Sequence, residues 1–373
     1  MPASELNSES ADEAGLAEAV ERCFHHAYAP AKAAFLEAAR TAQARLESLT
    51  CPASGPGGEE LTIDAAYVGP VDPRKLLVVT SGVHGVEGYA GSAIQLDALN
   101  ATWPAADVAL LLVHFVNPFG VAWSGSNNED NVDLNRNFVG FQHPLAKNTL
   151  YDEVDAFVCC PELRGPLRDA ADSQMASYIT KYGLERLMRA VCDGQYHRPG
   201  GFNFGGAGPA WSNLTLRRLL SRFAHSATHV GIIDVHTGLG DRGASAMLCI
   251  EPPDEAAGAR AQSWWPNTLV VPSVAFPFAP RGTFIGSSWH LNPKQEVTAA
   301  ALEIGTEPPE RVFAALRNRF WLSNVRTAHA DIVAHIEDEI HACLAPRDAE
   351  WRTAALLGGR QAIHRAIQGL SRR

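Results

Sequence analysis

Apolar residues gather in four unbroken runs, each giving way to a cluster of polar side chains. Lys75-Leu76-Leu77-Val78-Val79-Thr80 is the first and Asp107 to Val116 the second. Val230-Gly231-Ile232-Ile233 leads into Asp234-Val235-His236-Thr237-Gly238, and Val297 to Thr306 carries the fourth. Runs of this length without polar alternation read as strands buried on both faces, the habit of parallel sheets. Elsewhere the spacing turns helical. Glu87 to Leu99 has this spacing, with Ala90, Ile94 and Leu96 apolar, and so do Tyr151 to Tyr196, Trp211 to Ser226, Glu310 to Thr327, Ala330 to Leu344 and Trp351 to Leu370. Ala14 to Ser48, rich in Ala, Leu and Glu, predicts two helical pieces separated at Pro30. Pro52 to Gly58 predicts a turn-rich link, after which Glu60 to Tyr67 starts the sheet. Met247 to Ile250 and Thr268 to Val271 predict short strands with irregular chain between them, at 251–255 and 264–266. No internal repeat is visible, and the alternation of strand and helix predicts an α/β fold.

Composition narrows this further. Hydrophobic residues form 46% of the 373-residue chain, ample for a substantial core. The polar clusters stretch from residue 84 to 306, so one large domain over residues 14–373, behind a disordered stretch at residues 1–13, is the simplest organisation. A net charge of −10 argues against nucleic acid or an anionic membrane as the main partner. The polar, acidic start lacks the basic and apolar parts of a signal peptide, and no run of about 18 apolar residues predicts a membrane span. Seven cysteines, including the adjacent Cys159-Cys160, follow no zinc-finger spacing and predict reduced thiols in a cytoplasmic protein.

The polar clusters carry the chemistry. His84 and Glu87, three apart where the first run passes into a helix, have the look of two ligands of a catalytic zinc; a capping His and a first-turn Glu is the plain alternative. That position, at the carboxyl end of a strand, is where open α/β sheets bind ligands. His236 ends another run and offers a third ligand. Asp234, on the same face of that strand, either orients a ligand or makes a structural hydrogen bond. The second run enters a long polar loop from Asn117 to Phe138, in which Arg136 offers a planar fork for a carboxylate and Asn135 adds amide donors. Glu303 interrupts the fourth run. A buried carboxylate there is either a general base with tuned proton affinity or half of an ion pair. A glycine-rich loop, Gly194 to Gly208, either lines the pocket or only connects helices; it lacks the ending of a phosphate loop.

Taken in order, His84-Gly-Val-Glu87, Asn117-Pro-Phe-Gly120, Asp133-Leu-Asn135-Arg136-Asn-Phe138, Asp234-Val-His236-Thr-Gly238 and Leu302-Glu303-Ile-Gly-Thr306 resemble the zinc carboxypeptidase superfamily of metallopeptidases. Within it the chain is most similar to a bacterial branch described only as a domain of unknown function. The resemblance spans roughly residues 25 to 340. It implies one zinc ion per chain on His84, Glu87 and His236, a carboxylate clamp of Asn135 and Arg136, and Glu303 as general base and later proton donor. It also implies a three-layer α/β/α sandwich around a mixed, mostly parallel eight-stranded sheet. The expected activity is hydrolysis of an amide bond in a small peptide or acylated amino acid bearing a free carboxylate.

One departure stands out. Relatives carry an Arg just before the Asp-Leu-Asn-Arg segment, where it stabilises the oxyanion, but Val121 to Asn128 contains no Arg or Lys. Loss of one such donor can cost about 10²–10³ in turnover. Arg242 and Arg281 lie in loops that are candidates to replace it. The alternatives are an N-acyl amino acid deacylase resembling aspartoacylase and succinylglutamate desuccinylase, an esterase on the same site, and a zinc-containing binding protein with weak or no catalysis.

Overall fold

Alternate residues of the central strands feed two separate cores, one on each side of a mixed eight-stranded sheet. The computed structural model describes residues 14–101, 107–250, 256–271, 280–287, 295–325 and 327–373. Its strands are β1 (Arg45–Ser54), β2 (Glu60–Val68), β3 (Lys75–Ser81), β4 (Val108–His114), β5 (His229–Thr237), β6 (Ser245–Cys249), β7 (Leu269–Val270) and β8 (Glu296–Ile304), in the order β1-β2-β4-β3-β5-β8-β6-β7. β4, β3, β5 and β8 are parallel neighbours. β1, β2 and β6 pair antiparallel, and β7 runs parallel to β6.

Leu77 and Val79 of β3 join Leu110, Leu112, Ile233 and Val235 beneath α1 (residues 14–23), α2 (Tyr28–Thr41), α3 (Gly88–Asn100), α9 (Ala256–Trp264) and α13 (Ala349–Ser371). Leu76 and Val78 join Leu111, Val113 and Ile232 on the opposite face, under α8 (Trp211–Phe223) and α10 (Phe284–Ser287). Each such fully buried Leu, Ile or Val contributes about 1.5–3 kcal/mol relative to exposure. The result is the expected three-layer α/β/α arrangement with a mixed eight-stranded sheet. A satellite core forms where α5 (Thr149–Val158), α6 (Pro166–Tyr182) and α7 (Leu184–Cys192) meet α11 (Pro309–Asn324). A further one brings α4 (Pro118–Ala122) and α12 (Ala330–Leu344) against the β1 side.

Four local expectations need correction. Residues 45–54 form β1 and not helix or link, because Leu46 to Thr50 pair in register with β2 and only residues 55–58 turn. Pro52 is tolerated there because β1 is an edge strand. Pro30 does not divide two helices: it sits in the first turn of α2, where its missing N–H has no intrahelical partner to lose. Residues up to Trp264 are helical in α9, and the start of the long polar loop coils into α4. The disorder expected of residues 1–13 and the irregular chain expected of 251–255 fall outside the described residues. Among the described residues, no helix is long and apolar enough to cross a membrane.

Candidate metal centre and carboxylate clamp

The four parallel strands deliver their carboxyl ends to one edge of the sheet, and the predicted residues meet there. β3 ends in a single turn of 3-10 helix, Gly85–Glu87, that precedes α3 and carries His84 and Glu87 inward together. The turn needs Gly85: its φ is +52°, and a β-carbon there would collide with the carbonyl oxygen of Gly125. β5 ends at Thr237, placing His236 beside Glu303 of β8 in direct register.

His84, Glu87 and His236 offer one ligand atom each, all within 4.8 Å of one another. The Nδ1 atoms of His84 and His236 lie 3.3 and 3.0 Å from the two carboxylate oxygens of Glu87. Each Nε2 faces a different buried carboxylate, Asp133 Oδ1 at 3.1 Å for His84 and Asp234 Oδ2 at 2.7 Å for His236. Carboxylates on the far nitrogens fix the ring orientation and turn both Nδ1 atoms toward Glu87, an arrangement that suits a bound metal. Asp234 is itself held by the Thr80 hydroxyl at 2.5 Å, and Glu87 accepts the Thr237 N–H at 3.1 Å.

The electrostatics favour positive charge between these groups. Burial disfavours charge on His84, but Glu87 and Asp133 outweigh it and hold the imidazole pKa up at about 9. Burial likewise opposes charge on His236, and Asp234 and Glu87 overturn it, leaving the pKa well above the ordinary value. Burial would raise Glu87, yet the two imidazoles pull it down to about 2. Protons on both rings thus balance a nest of carboxylates, a role that a divalent ion takes over when ligands deprotonate to bind it. Two imidazoles and a carboxylate also match the donor set of an open hydrolytic zinc site. The residues present therefore fit the metal that the sequence implies.

Glu303 stands apart from this pairing. It is 9% exposed and its Oε2 makes no hydrogen bond. Burial raises its pKa to about 7, with His236 pulling down and Glu87 pushing up. No Arg or Lys forms a salt bridge with it among the described residues. A buried carboxyl that titrates near neutrality beside a prospective metal is suited to taking and returning a proton.

Asp133 connects the candidate metal ligands to the Asn135-Arg136 segment. Its Oδ1 also accepts the Asn135 N–H at 2.9 Å, and its Oδ2 lies 3.9 Å from Arg136. Arg136, 7% exposed, spends Nε on the Cys192 carbonyl and one Nη1 donor on the Asn135 carbonyl, both at 2.7 Å. Asn135 Oδ1 accepts the Phe284 N–H at 2.9 Å. Arg136 Nη2 and Asn135 Nδ2 make no hydrogen bond among the described residues, which leaves donors for a carboxylate. The glycine-rich loop buttresses this segment: Tyr196 donates to the Arg136 carbonyl at 2.6 Å, and the Gly205 and Gly208 carbonyls accept from Asn137. The role of Asp133 escaped sequence reasoning, although its place at the head of Asp-Leu-Asn-Arg was the available signal.

Of the candidate replacements for the missing Arg, Arg242 is exposed and paired with Glu307 and Asp348. Arg281 is exposed and acts on the charges of Asp193 and Tyr196, on the clamp side. A third guanidinium, Arg319 of α11, is buried against the loop in question, bonding the Ser124 and Trp123 carbonyls at 2.8 and 2.6 Å.

The molecule has the architecture of a zinc carboxypeptidase. It superposes on carboxypeptidase A from Helicoverpa armigera with a TM-score of 0.50 at 12% identity, over 94% of this chain and 74% of that one. A metallo-carboxypeptidase from Burkholderia cenocepacia gives 0.47 at 13% identity, over 91% and 68%. A succinylglutamate desuccinylase from Chromobacterium violaceum gives 0.37 at 14% identity, over 84% and 74%. The chain belongs to the family described as "Protein of unknown function (DUF2817)", whose model matches residues 24–357. No curated protein matches the sequence.

Proposed function

We propose that residues 14–373 form one zinc-dependent hydrolase that cleaves an amide bond in a small peptide or acylated amino acid with a free carboxylate. The observation that carries this reading is the convergence of the His84 and His236 Nδ1 atoms on Glu87, with an unpartnered Glu303 carboxyl in register beside His236. His84, Glu87 and His236 would hold the ion, which supplies Lewis acidity and an acidified water when bound. Asn135 and Arg136 fix the substrate's carboxylate and so set which carbonyl reaches the centre. Asp133, touching both His84 and the clamp segment, holds those two points at a constant separation. Glu303 accepts the proton from the attacking water and delivers it to the departing amine.

The test is hydrolysis of dipeptides, amidated dipeptides and N-acyl amino acids by zinc-loaded protein and its Glu303→Gln variant. Free-carboxylate substrates should turn over, amidated ones poorly, and the variant should bind zinc normally while losing about 10²–10⁴ in turnover. Faster cleavage of N-acyl amino acids than of dipeptides would favour the deacylase reading. Full activity in Glu303→Gln would remove Glu303 from the reaction, and absence of turnover on all substrates would leave a metal-binding protein.

A further inference from the structure

A cavity of about 510 Å³ opens beside the loop that follows α4, and none of the candidate metal or carboxylate-binding residues lines it. One wall is the loop itself, including Ser126 and Asn128; another is α11 with Arg319 and Phe320. The polar groups in these walls are left wanting acceptors. Asn128, 4% exposed, commits its Oδ1 to the Asp130 and Val132 N–H groups, which points Nδ2 away from them, and that nitrogen has no hydrogen-bond partner. The buried hydroxyl of Ser126 has none either. Arg319, 9% exposed, forms no salt bridge among the described residues. Nε, Nη2 and Nη1 each donate once, to Ser124, Trp123 and Ser323, and two of the five guanidinium N–H groups remain.

A buried guanidinium whose hydrogen bonds go only to neutral oxygens, with Glu337 acting on its charge from the same wall, keeps two donors beside the two unused ones of Asn128 and Ser126, and these are costly to leave unmet. Apolar surface completes the chamber. Phe119 stacks on Trp123 at 5.6 Å, and Phe202 meets Phe320 edge-on at 5.3 Å. Glu129 and Glu337 are the acidic residues among the described lining, and burial raises both carboxyls above their ordinary value.

We propose that this cavity is a separate binding site for a small organic carboxylic acid with an aromatic or branched apolar body, its carboxylate received by Arg319, Asn128 and Ser126. The site goes beyond the hydrolase reading and does not depend on it. Its wall is nevertheless tied to the metal-ligand turn, because the Gly125 carbonyl accepts the Val86 N–H at 3.0 Å.

Calorimetric titration of the full chain with 3-phenylpropionate and with its neutral amide tests the assignment. The acid should bind saturably, and the amide about tenfold or more weakly, since hydrogen bonds to charged groups are the stronger ones. Asn128→Asp keeps the Oδ1 acceptor that orders the loop but presents oxygen to the anion, and should weaken acid binding at least about tenfold. Ser126→Ala should weaken it several-fold and serves if the first variant does not fold. Arg136→Ala, which disables the clamp at the other site, should leave this binding unchanged. No saturable binding of the acid would overturn the proposal. So would binding that vanishes in Arg136→Ala while Asn128→Asp and Ser126→Ala bind normally.

Discussion

At the scale of single residues, two buried carboxylates, Asp133 and Asp234, each orient one imidazole of the candidate site. Asp234 grips His236 Nε2 at 2.7 Å and is itself fixed by Thr80. Replacing it by Asn leaves the shape and removes the charge that favours a ligating Nδ1. Zinc affinity should fall about 10–100-fold in Asp234→Asn, read by competition with a chelating indicator. Unchanged affinity would mean that the pair is only structural. That His84, Glu87, His236 and Glu303 would come together was legible in the sequence, because each lies within or at the end of an apolar run and the runs announce their own strands. Asp133 was less so. Nothing in its spacing says that it reaches across 49 residues to His84. Arg319 and the cavity it lines were invisible, since that contact joins residues 123–128 to a helix nearly two hundred positions later.

The loop after α4 shows what elements add. It carries no cation of its own and is clasped by two helices, through Arg319 of α11 and through His341 of α12, whose Nε2 lies 3.1 Å from the Ser124 hydroxyl. Burial, aided by Arg347 and His26, depresses the His341 pKa to about 4. The unfolded chain protonates this histidine near its ordinary value of about 6.5, whereas the folded protein does so only near 4. Between those values the unfolded state binds more protons, so stability falls as pH drops through the window, by roughly 3 kcal/mol for this group alone. His341→Gln, which can still bond Ser124, should flatten that part of the profile in denaturant titrations at pH 7, 5.5 and 4.5. His114, also depressed by burial, contributes in the same direction, so the difference between variant and parent is the quantity to read. An unaltered slope would reject the assignment. Elements defined by local pattern, such as β3 and α3, were readable for the same reason that His84 was. β1 was not, because Ala- and Glu-rich chain and Pro52 favour anything but a strand, and only pairing with β2 makes it one.

Across the whole molecule, the candidate centre is where four segments remote in sequence are forced together. β4 leads to Asp133, β3 to His84 and Glu87, β5 to His236 and β8 to Glu303, and these four strands are consecutive and parallel in the sheet. An ion held at that edge binds the folded chain and finds no such arrangement in the unfolded one, so mass action must stabilise the fold. At a free zinc concentration about 100 times the dissociation constant, the gain is about 2.7 kcal/mol. Thermal melting should therefore move up by several degrees on zinc addition and return on chelation. Glu303→Gln should retain the full shift, because in the proposed reaction that carboxyl moves a proton and is no ligand, while His236→Ala should lose it. A shift that survives His236→Ala would place the ion elsewhere, whereas a shift lost in both variants would make Glu303 a ligand and leave the proposed hydrolysis without its base.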